Sequence, residues 1–318
     1  MRWWILLLAM LLNGCTLFNV SLLHPASPLE EKVLEGEGRP KILLLDVSGL
    51  ISEKKFGISL TGRPSQLSEI KEALQKAEED REVVGVLIRV NSPGGTVTAS
   101  DIIHHELITF KKRNPVPVHA AIVGLGTSGG YYVATAADRI TASPTSVTGS
   151  IGVIYMHFQV DRLLDKIGAS EWNVKSGDKK DMLSPFRPAT ADEKAIMQGV
   201  IDTLYGRFID MVLARPGNTL SREELLRLAD GRIYTAEQAR AFRLIDGVCY
   251  LDEALADLKK AAGVEKARVV GYYRPGSYRG SIYAGETGAT GEGAGILSLG
   301  ENGLEVFSDI GFAYLWKP

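Results

Sequence analysis

The run Gly126-Thr127-Ser128-Gly129-Gly130 sets a serine hydroxyl among glycines, and the residues on either side decide how that hydroxyl would be presented. A β-branched stretch, 116–123, precedes it, and Tyr131-Tyr132-Val133-Ala134-Thr135-Ala136-Ala137 follows with helical character. Strand, sharp turn, helix is a setting in which serine becomes a nucleophile. The glycines allow a tight, partly strained turn that lifts the hydroxyl clear of a sheet, while the next amides point outward as helix N-terminal donors. An ordinary glycine turn between strand and helix has the same five-residue signature, so the pentapeptide needs company.

A second glycine turn supplies it. Residues 83–90 read as a buried strand running into Asn91-Ser92-Pro93-Gly94-Gly95, and 97–112 as the helix that follows. In a parallel sheet both turns fall at the carboxyl ends of their strands, on the edge where open α/β folds bind ligands. One turn then offers the nucleophile Ser128, and the amides of Gly95 and Gly129 can form an oxyanion hole. Loss of one such donor costs roughly 2.7 to 4 kcal/mol of transition-state stabilisation, so a pair matters for acyl transfer.

A serine hydroxyl also needs a base. Of the five histidines only His157 lies beyond Ser128, and the segment 158–318 has none, which argues against the order Ser, acid, His of an α/β-hydrolase. His157 could complete a Clp-protease-like triad, although an isolated histidine in a strand is more often structural. The other source is the polar, turn-rich segment 174–185, which carries Lys175, Lys179 and Lys180 and would otherwise read as a solvated loop. A lysine base must be neutral at working pH, a fall from about 10.4 to nearer 7 or 8, or about 4 kcal/mol; burial at an interface or in a closed cleft supplies such a shift. Residue chemistry alone does not choose among the three lysines.

Three ordered blocks resemble the signal peptide peptidase A family of membrane-associated serine proteases, in its short single-domain form. They are Arg89-Val90-Asn91-Ser92-Pro93-Gly94-Gly95, then residues 124–134 around Ser128, then Thr148-Gly149-Ser150-Ile151-Gly152-Val153 followed by Ser176-Gly177-Asp178-Lys179-Lys180-Asp181. The resemblance runs from about Pro40 to Tyr273. It implies an α/β Clp-protease and crotonase-like fold of repeated ββα units with a C-terminal helical extension. It also implies Ser128 as nucleophile, Lys180 as general base, Gly95 and Gly129 as oxyanion donors, and Ser150 as a hydroxyl that orients the lysine. The stretch 230–239 fits the wider crotonase-like pattern, but Arg243-Leu244 stands where Gly-Leu is usual, a departure that bears on a helix end.

The elements that must hold these residues alternate: 42–47 strand, 66–79 helix, 83–90 strand, 97–112 helix, 116–123 strand, 129–137 helix. That order predicts βαβ units on a mostly parallel sheet. Beyond the lysine loop, Thr190 with Glu193, Ser221 with Glu224 and Thr235 with Gln238 have capping-box spacing and mark three helix starts, the first helix running to about Ala214. In the fold resembled, such helices pack across neighbouring subunits, so a homo-oligomer is expected. A chain of 318 residues has room for two domains of ~150.

At the N-terminus Met1-Arg2 precedes an apolar run, 3–12, that suits a signal-peptide core and falls short of the ~20 residues needed to span a bilayer. Leu12-Asn13-Gly14-Cys15 resembles a lipobox, with Cys15 the residue to be lipidated; the rival is an uncleaved anchor continuing to Leu23. The expected organisation is therefore a signal peptide over 1–14, a membrane tether over 15–39, a peptidase domain over 40–273 and a glycine-rich arm over 274–318. The short apolar end of that arm, 312–316, reads as a docking segment on a neighbouring subunit. Cys249, the only other cysteine, reads as a small buried hydrophobe.

The formal net charge is −2 with acids and bases interspersed, so the basic footprint of a nucleic-acid binder is missing. Metal-ligand spacing and a phosphate-binding loop are missing too, and no cofactor is implied. The function expected is an extracytoplasmic, membrane-held serine endopeptidase acting on hydrophobic unstructured peptides such as spent signal peptides. The rivals are an acyl-CoA enzyme on the same fold, a non-catalytic peptide-binding lipoprotein scaffold, and a stomatin-associated Ser-Lys peptidase.

Overall fold

The computed structural model describes residues 27–53, 65–275, 281–283 and 312–316. Alternating side chains organise its core. On β2 (Lys41–Ile51), Leu43, Leu45 and Val47 face one layer while Ile42 and Leu44 face the other. β3 (Val83–Thr96) divides Val86, Ile88 and Val90 from Leu87, and β4 (Val118–Thr127) divides Val118, Ala120 and Ile122 from Ala121. Strands apolar on both faces must be covered on both, as parallel strands are. Helices α1 (Gln66–Glu79) and α2 (Val97–Arg113) cover one face with Ile70, Leu74, Ile103 and Leu107. The other face is closed by α8 (Leu251–Ala261) through Leu255 and Leu258.

The central strands run parallel in the order β10 (Arg268–Tyr273), β2, β3, β4, β5 (Arg139–Ala142), β9 (Gly247–Val248). Antiparallel β1 (Glu30–Glu35) adds an edge beside β10. One sheet and its two flanking cores hold the described residues together, so the two-domain expectation from length is replaced by a single layered unit. The segment 15–39, expected as a tether, contains β1 in its second half; positions 1–26, with Cys15, lie outside the described residues.

The strands do not stop at the sheet edge. β4 pairs with β5 from His119 to Ile122 and then, from Leu125 to Thr127, with β6 (Val147–Gly149). β3 shifts register after Val90, and its end, Gly94 to Thr96, pairs antiparallel with β11 (Phe312–Leu315). Around these continuations lie β7 (Ile154–Tyr155), paired with β11, and β8 (Ile233–Thr235), paired with β6. Each long strand therefore serves two ladders before entering its helix, which is how ββα units arise from what reads in sequence as single strands.

The three predicted capping boxes are formed. They open α5 (Ala191–Ala214), α6 (Arg222–Leu228) and α7 (Ala236–Ala241), and α5 ends at Ala214 as expected. Arg243, at the end of α7, has φ of 60° and Leu244 N–H closes the turn on the Ala239 carbonyl at 2.8 Å, so arginine occupies the left-handed position that glycine normally takes. Cys249 is half-buried against the second core, which pushes its thiol pKa up.

Candidate active site

Ser128 stands at the N-cap of α3 (Gly129–Ala134) with φ 52° and ψ −116°, a conformation an L-residue adopts at a cost of order 1–3 kcal/mol. The surrounding bonds hold it there. Its amide donates to the Gly149 carbonyl at 2.8 Å, its carbonyl accepts from Tyr132 N–H at 2.9 Å, and Tyr131 anchors α3 by donating its hydroxyl to the Leu244 carbonyl at 2.6 Å. Ser128 is 1% exposed, and its Oγ has no hydrogen-bond partner among the described residues. A buried hydroxyl without a partner ordinarily destabilises a fold, and the Thr127 hydroxyl beside it shares that condition.

The second glycine turn comes up against the first. A Cβ placed on Gly129 would lie 3.1 Å from the Gly95 nitrogen, and one on Gly94 would lie 2.8 Å from the Gly129 nitrogen. The two amides expected to form an oxyanion hole are thus neighbours. Gly94 has φ of +106°, and a side chain on Gly95 would collide with the Ile51 carbonyl, so glycine is required at both. Two residues that the sequence reading passed over fix this turn. Ser92 Oγ donates to the Gly49 carbonyl at 2.6 Å and accepts from Gly94 N–H at 3.0 Å. Asn91 Oδ1 accepts from Leu125 N–H at 3.0 Å, which locks the turn of β3 to that of β4. Their signal was present in the motif itself, since Asn and Ser ahead of Pro-Gly form such side-chain turns.

Ser150 adjoins the Ser128 turn: the preceding carbonyl, Gly149, receives the Ser128 amide, and Ser150 has φ of 51° and is buried. His157 is not bonded to Ser128, because its Nε2 and the serine Oγ are both without partners among the described residues. The triad expectation therefore finds no support within this chain. Nor is 151–158 one strand; only Ile154–Tyr155 pairs.

The lysines lie on a surface loop that follows α4 (Asp161–Ile167), and 165–180 is exposed throughout. Lys175 donates to Asp181 at 2.7 Å, and Lys179 is ion-paired with Asp192, which raises its ammonium pKa, the wrong direction for a base. Among the described residues Lys180 alone of the three has no side-chain partner. The loop is pinned by Arg187, which bridges Asp181 at 2.8 Å and Glu193 at 2.5 Å. The guanidinium holds the Asp181 carboxyl well below its usual range, and together with the Thr190 amide it lowers Glu193 to about 2. Among the described residues no lysine hydrogen-bonds to Ser128 Oγ.

A strained, buried serine beside two glycine amides is the arrangement expected of a serine hydrolase. The peptidase family S49 model matches residues 110–265. A protein of Enterococcus faecium named a signal peptide peptidase SppA is 33% identical over 289 residues, covering 91% of this chain and 83% of that one. Protease 4 of Salmonella typhi is 32% identical over 71% of this chain, which spans 35% of that longer protein. A ClpP1 mutant from Listeria monocytogenes superposes with a TM-score of 0.43 at 16% identity, over 67% of this chain and 94% of that one. The chain belongs to peptidase family S49 and is a serine protease with the Clp-protease-like α/β fold of that family.

Proposed function

We propose that this protein is a membrane-associated endopeptidase that hydrolyses hydrophobic, unstructured peptides, cleaved signal peptides among them, through a dyad of Ser128 and Lys180. The observation that carries this reading is the unpartnered Ser128 hydroxyl on its strained turn, beside the Gly95 and Gly129 amides. In the reaction, Lys180 takes the hydroxyl proton as Oγ attacks the peptide carbonyl, and the oxyanion rests on the two amides. The proton passes to the departing amine, and water then hydrolyses the ester. Ser150, next to the serine turn, orients the lysine.

Lys180 must come from a neighbouring subunit or from a closed form of its loop. The neighbour is favoured by what precedes the lysine in sequence: Leu163, Ile167, Trp172 and Val174 are all more than half exposed. Side chains of this size cluster at surfaces that another molecule covers. Covering them would bury the ammonium and lower its proton affinity, which a lysine base requires. The protein is accordingly a homo-oligomer. Its membrane attachment is a lipid on Cys15 after removal of 1–14, with a tether that ends where β1 begins, a peptidase domain to about 273 and a C-terminal arm over 274–318. The E. faecium relative's name supports the substrate class. Among the described residues no helix is long and apolar enough to cross a membrane.

A serine-directed fluorophosphonate is expected to label one peptide, that containing Ser128, and Ser128→Ala to abolish hydrolysis of a quenched hydrophobic peptide. Labelling elsewhere, or activity retained in the variant, removes the reading.

A further inference from the structure

Lys180 is exposed, but the backbone that carries it is held. Its amide donates to the Gly177 carbonyl at 3.0 Å, and Met182 and Ser184 N–H donate to the Lys179 and Asp181 carbonyls, each at 3.0 Å. Leu183, within these turns, has φ of 67°, a left-handed conformation that leucine keeps only where its surroundings impose it. What closes the turns is one guanidinium. Arg187 donates from Nε to Asp181 Oδ2 at 3.0 Å, and from Nη2 to Asp181 Oδ1 at 2.8 Å and to the Asp181 carbonyl at 3.1 Å. Its outer edge meets Glu193, Nη2 to Oε1 at 2.5 Å and Nη1 to Oε2 at 3.0 Å. Glu193 is 2% exposed, and its Oε2 also accepts the Thr190 N–H at 2.8 Å in the capping box of α5. The residue after Lys180 is thus tied, by side chain and carbonyl together, to the first turn of a helix. Paired bonds of this charged, planar kind fix geometry as well as adding energy.

The same arrangement sets the charge beside the lysine. A free carboxylate next to an ammonium favours the protonated form, the wrong direction for a base. Asp181 directly follows Lys180, yet it is engaged by Arg187 and, at 2.7 Å, by Lys175, two cations on one carboxylate. These partners, Arg187 first, hold its carboxyl well below the usual range. The other acids of the region are distributed in the same way: Asp192 takes Lys179, Glu193 is committed to Arg187, and Glu171 accepts from Ser184 Oγ at 3.4 Å. Asp178 has no ion pair among the described residues, and its carbonyl accepts from Lys175 at 3.3 Å. Helix α4 contributes opposite charges in balance, Asp161 and Asp165 with Arg162 and Lys166.

On the Ser128–Lys180 reading above, we propose that Arg187, with Lys175 beside it, is the positioning residue of the base: it fixes the loop that delivers Lys180 and neutralises the carboxylate next to it. Neither side chain touches substrate. Both act through Asp181, one by geometry and charge together, the other by charge alone, and desolvation by whatever covers the loop is then applied to a lysine already placed.

The test is the pH dependence of kcat on a quenched hydrophobic peptide, measured on the full chain for wild type, Arg187→Met, Arg187→Lys, Lys175→Met and Lys180→Ala. Arg187→Met is expected to lower kcat ~10- to 100-fold and to move the acid limb up by ~0.5 to 1 pH unit, since Asp181 then acts on Lys180. Arg187→Lys returns the charge without the fork, so the limb should recover while kcat stays ~3- to 10-fold low. Lys175→Met leaves the Arg187–Glu193 bridge intact and should move the limb by a smaller ~0.3 unit with a ~2- to 5-fold loss of kcat; it carries the test if circular dichroism shows Arg187→Met unfolded. A folded Arg187→Met with kcat within about twofold of wild type, or an acid limb unmoved in both methionine variants, overturns the proposal. Lys180→Ala separates the two claims. Activity retained in that variant removes the dyad and this role with it, whereas an inactive Lys180→Ala beside unaltered Arg187 and Lys175 variants removes the positioning role alone.

Discussion

The serine side of the site and the lysine side are built in opposite ways. Ser128, Gly95 and Gly129 sit at the ends of β3 and β4, with a buried serine, turns locked by Asn91 and Ser92, and glycines whose replacement would drive a Cβ into backbone. Lys180 sits in a stretch, 165–180, with every side chain exposed. The first half is pre-organised by the fold of one chain, and on the proposed function the second acquires its environment only when something covers it. Electrostatic stabilisation depends on donors that need not move during the reaction, so the rigid half is the one suited to hold the proposed oxyanion. Proton transfer from a lysine depends on desolvation, which assembly can supply after folding.

Substitutions break or sharpen this contrast, from the largest expected effect to the smallest. Lys180→Ala should lower kcat by several orders of magnitude while leaving the melting temperature unchanged, since the side chain has no partner among the described residues; Lys179→Ala should cost far less, its ammonium being committed to Asp192. Residues acting as a unit lose their joint effect together, so Ser128→Ala with Lys180→Ala should be no slower than either alone. Gly95→Ala should act on both stability and rate, because the new methyl meets the Ile51 carbonyl and displaces a donor: a loss of about 100- to 1,000-fold in kcat together with a lower melting temperature.

Acid should loosen the lysine loop before the serine turns. Asp181 and Glu193 have carboxyl pKa values held down by Arg187, so their anchoring is fully present above the ordinary carboxylate value of 4.5 and is lost as pH falls toward about 2. Melting curves of wild type and Arg187→Met should differ most near pH 7 and converge as pH drops below 4; a gap that stays constant would mean that the anchoring is not electrostatic. The smallest effect expected is that of Arg243→Gly. Glycine relieves the left-handed strain, worth about 1 kcal/mol, but forfeits the half-exposed Arg243–Glu224 pair, worth a few tenths. Chemical denaturation should show equal or slightly higher stability, and a loss above ~1 kcal/mol would contradict the strain argument.

What could be read from sequence follows the same division. Helix α1 was legible to the residue because its Ser65 cap and its apolar spacing are local, and α5 was legible because Thr190 and Glu193 form a capping box. The Ser128 turn was legible for a related reason, since glycines in a strand-to-helix turn announce a conformation that other residues resist. The continuations of β3 and β4 into a second ladder were not, because register shifts depend on partners distant in sequence. β1 hid among charged residues, its pairing with β10 joining segments more than 230 positions apart. β11 read as a docking segment, and only the structure gives it a partner, the oxyanion strand of its own chain. The identity of the base was least legible, since three lysines of one composition differ only in which carboxylates they meet.

The most direct test of the central claim, a serine half complete in one chain and a base delivered by another, is subunit complementation. Ser128→Ala and Lys180→Ala proteins, each inactive, are mixed under conditions of subunit exchange, with hetero-oligomers verified by light scattering and differential mass labelling. Hydrolysis of the quenched peptide should partly return, because some interfaces then join an intact serine to an intact lysine. No recovery in verified hetero-oligomers would contradict the account and place both residues within a single chain.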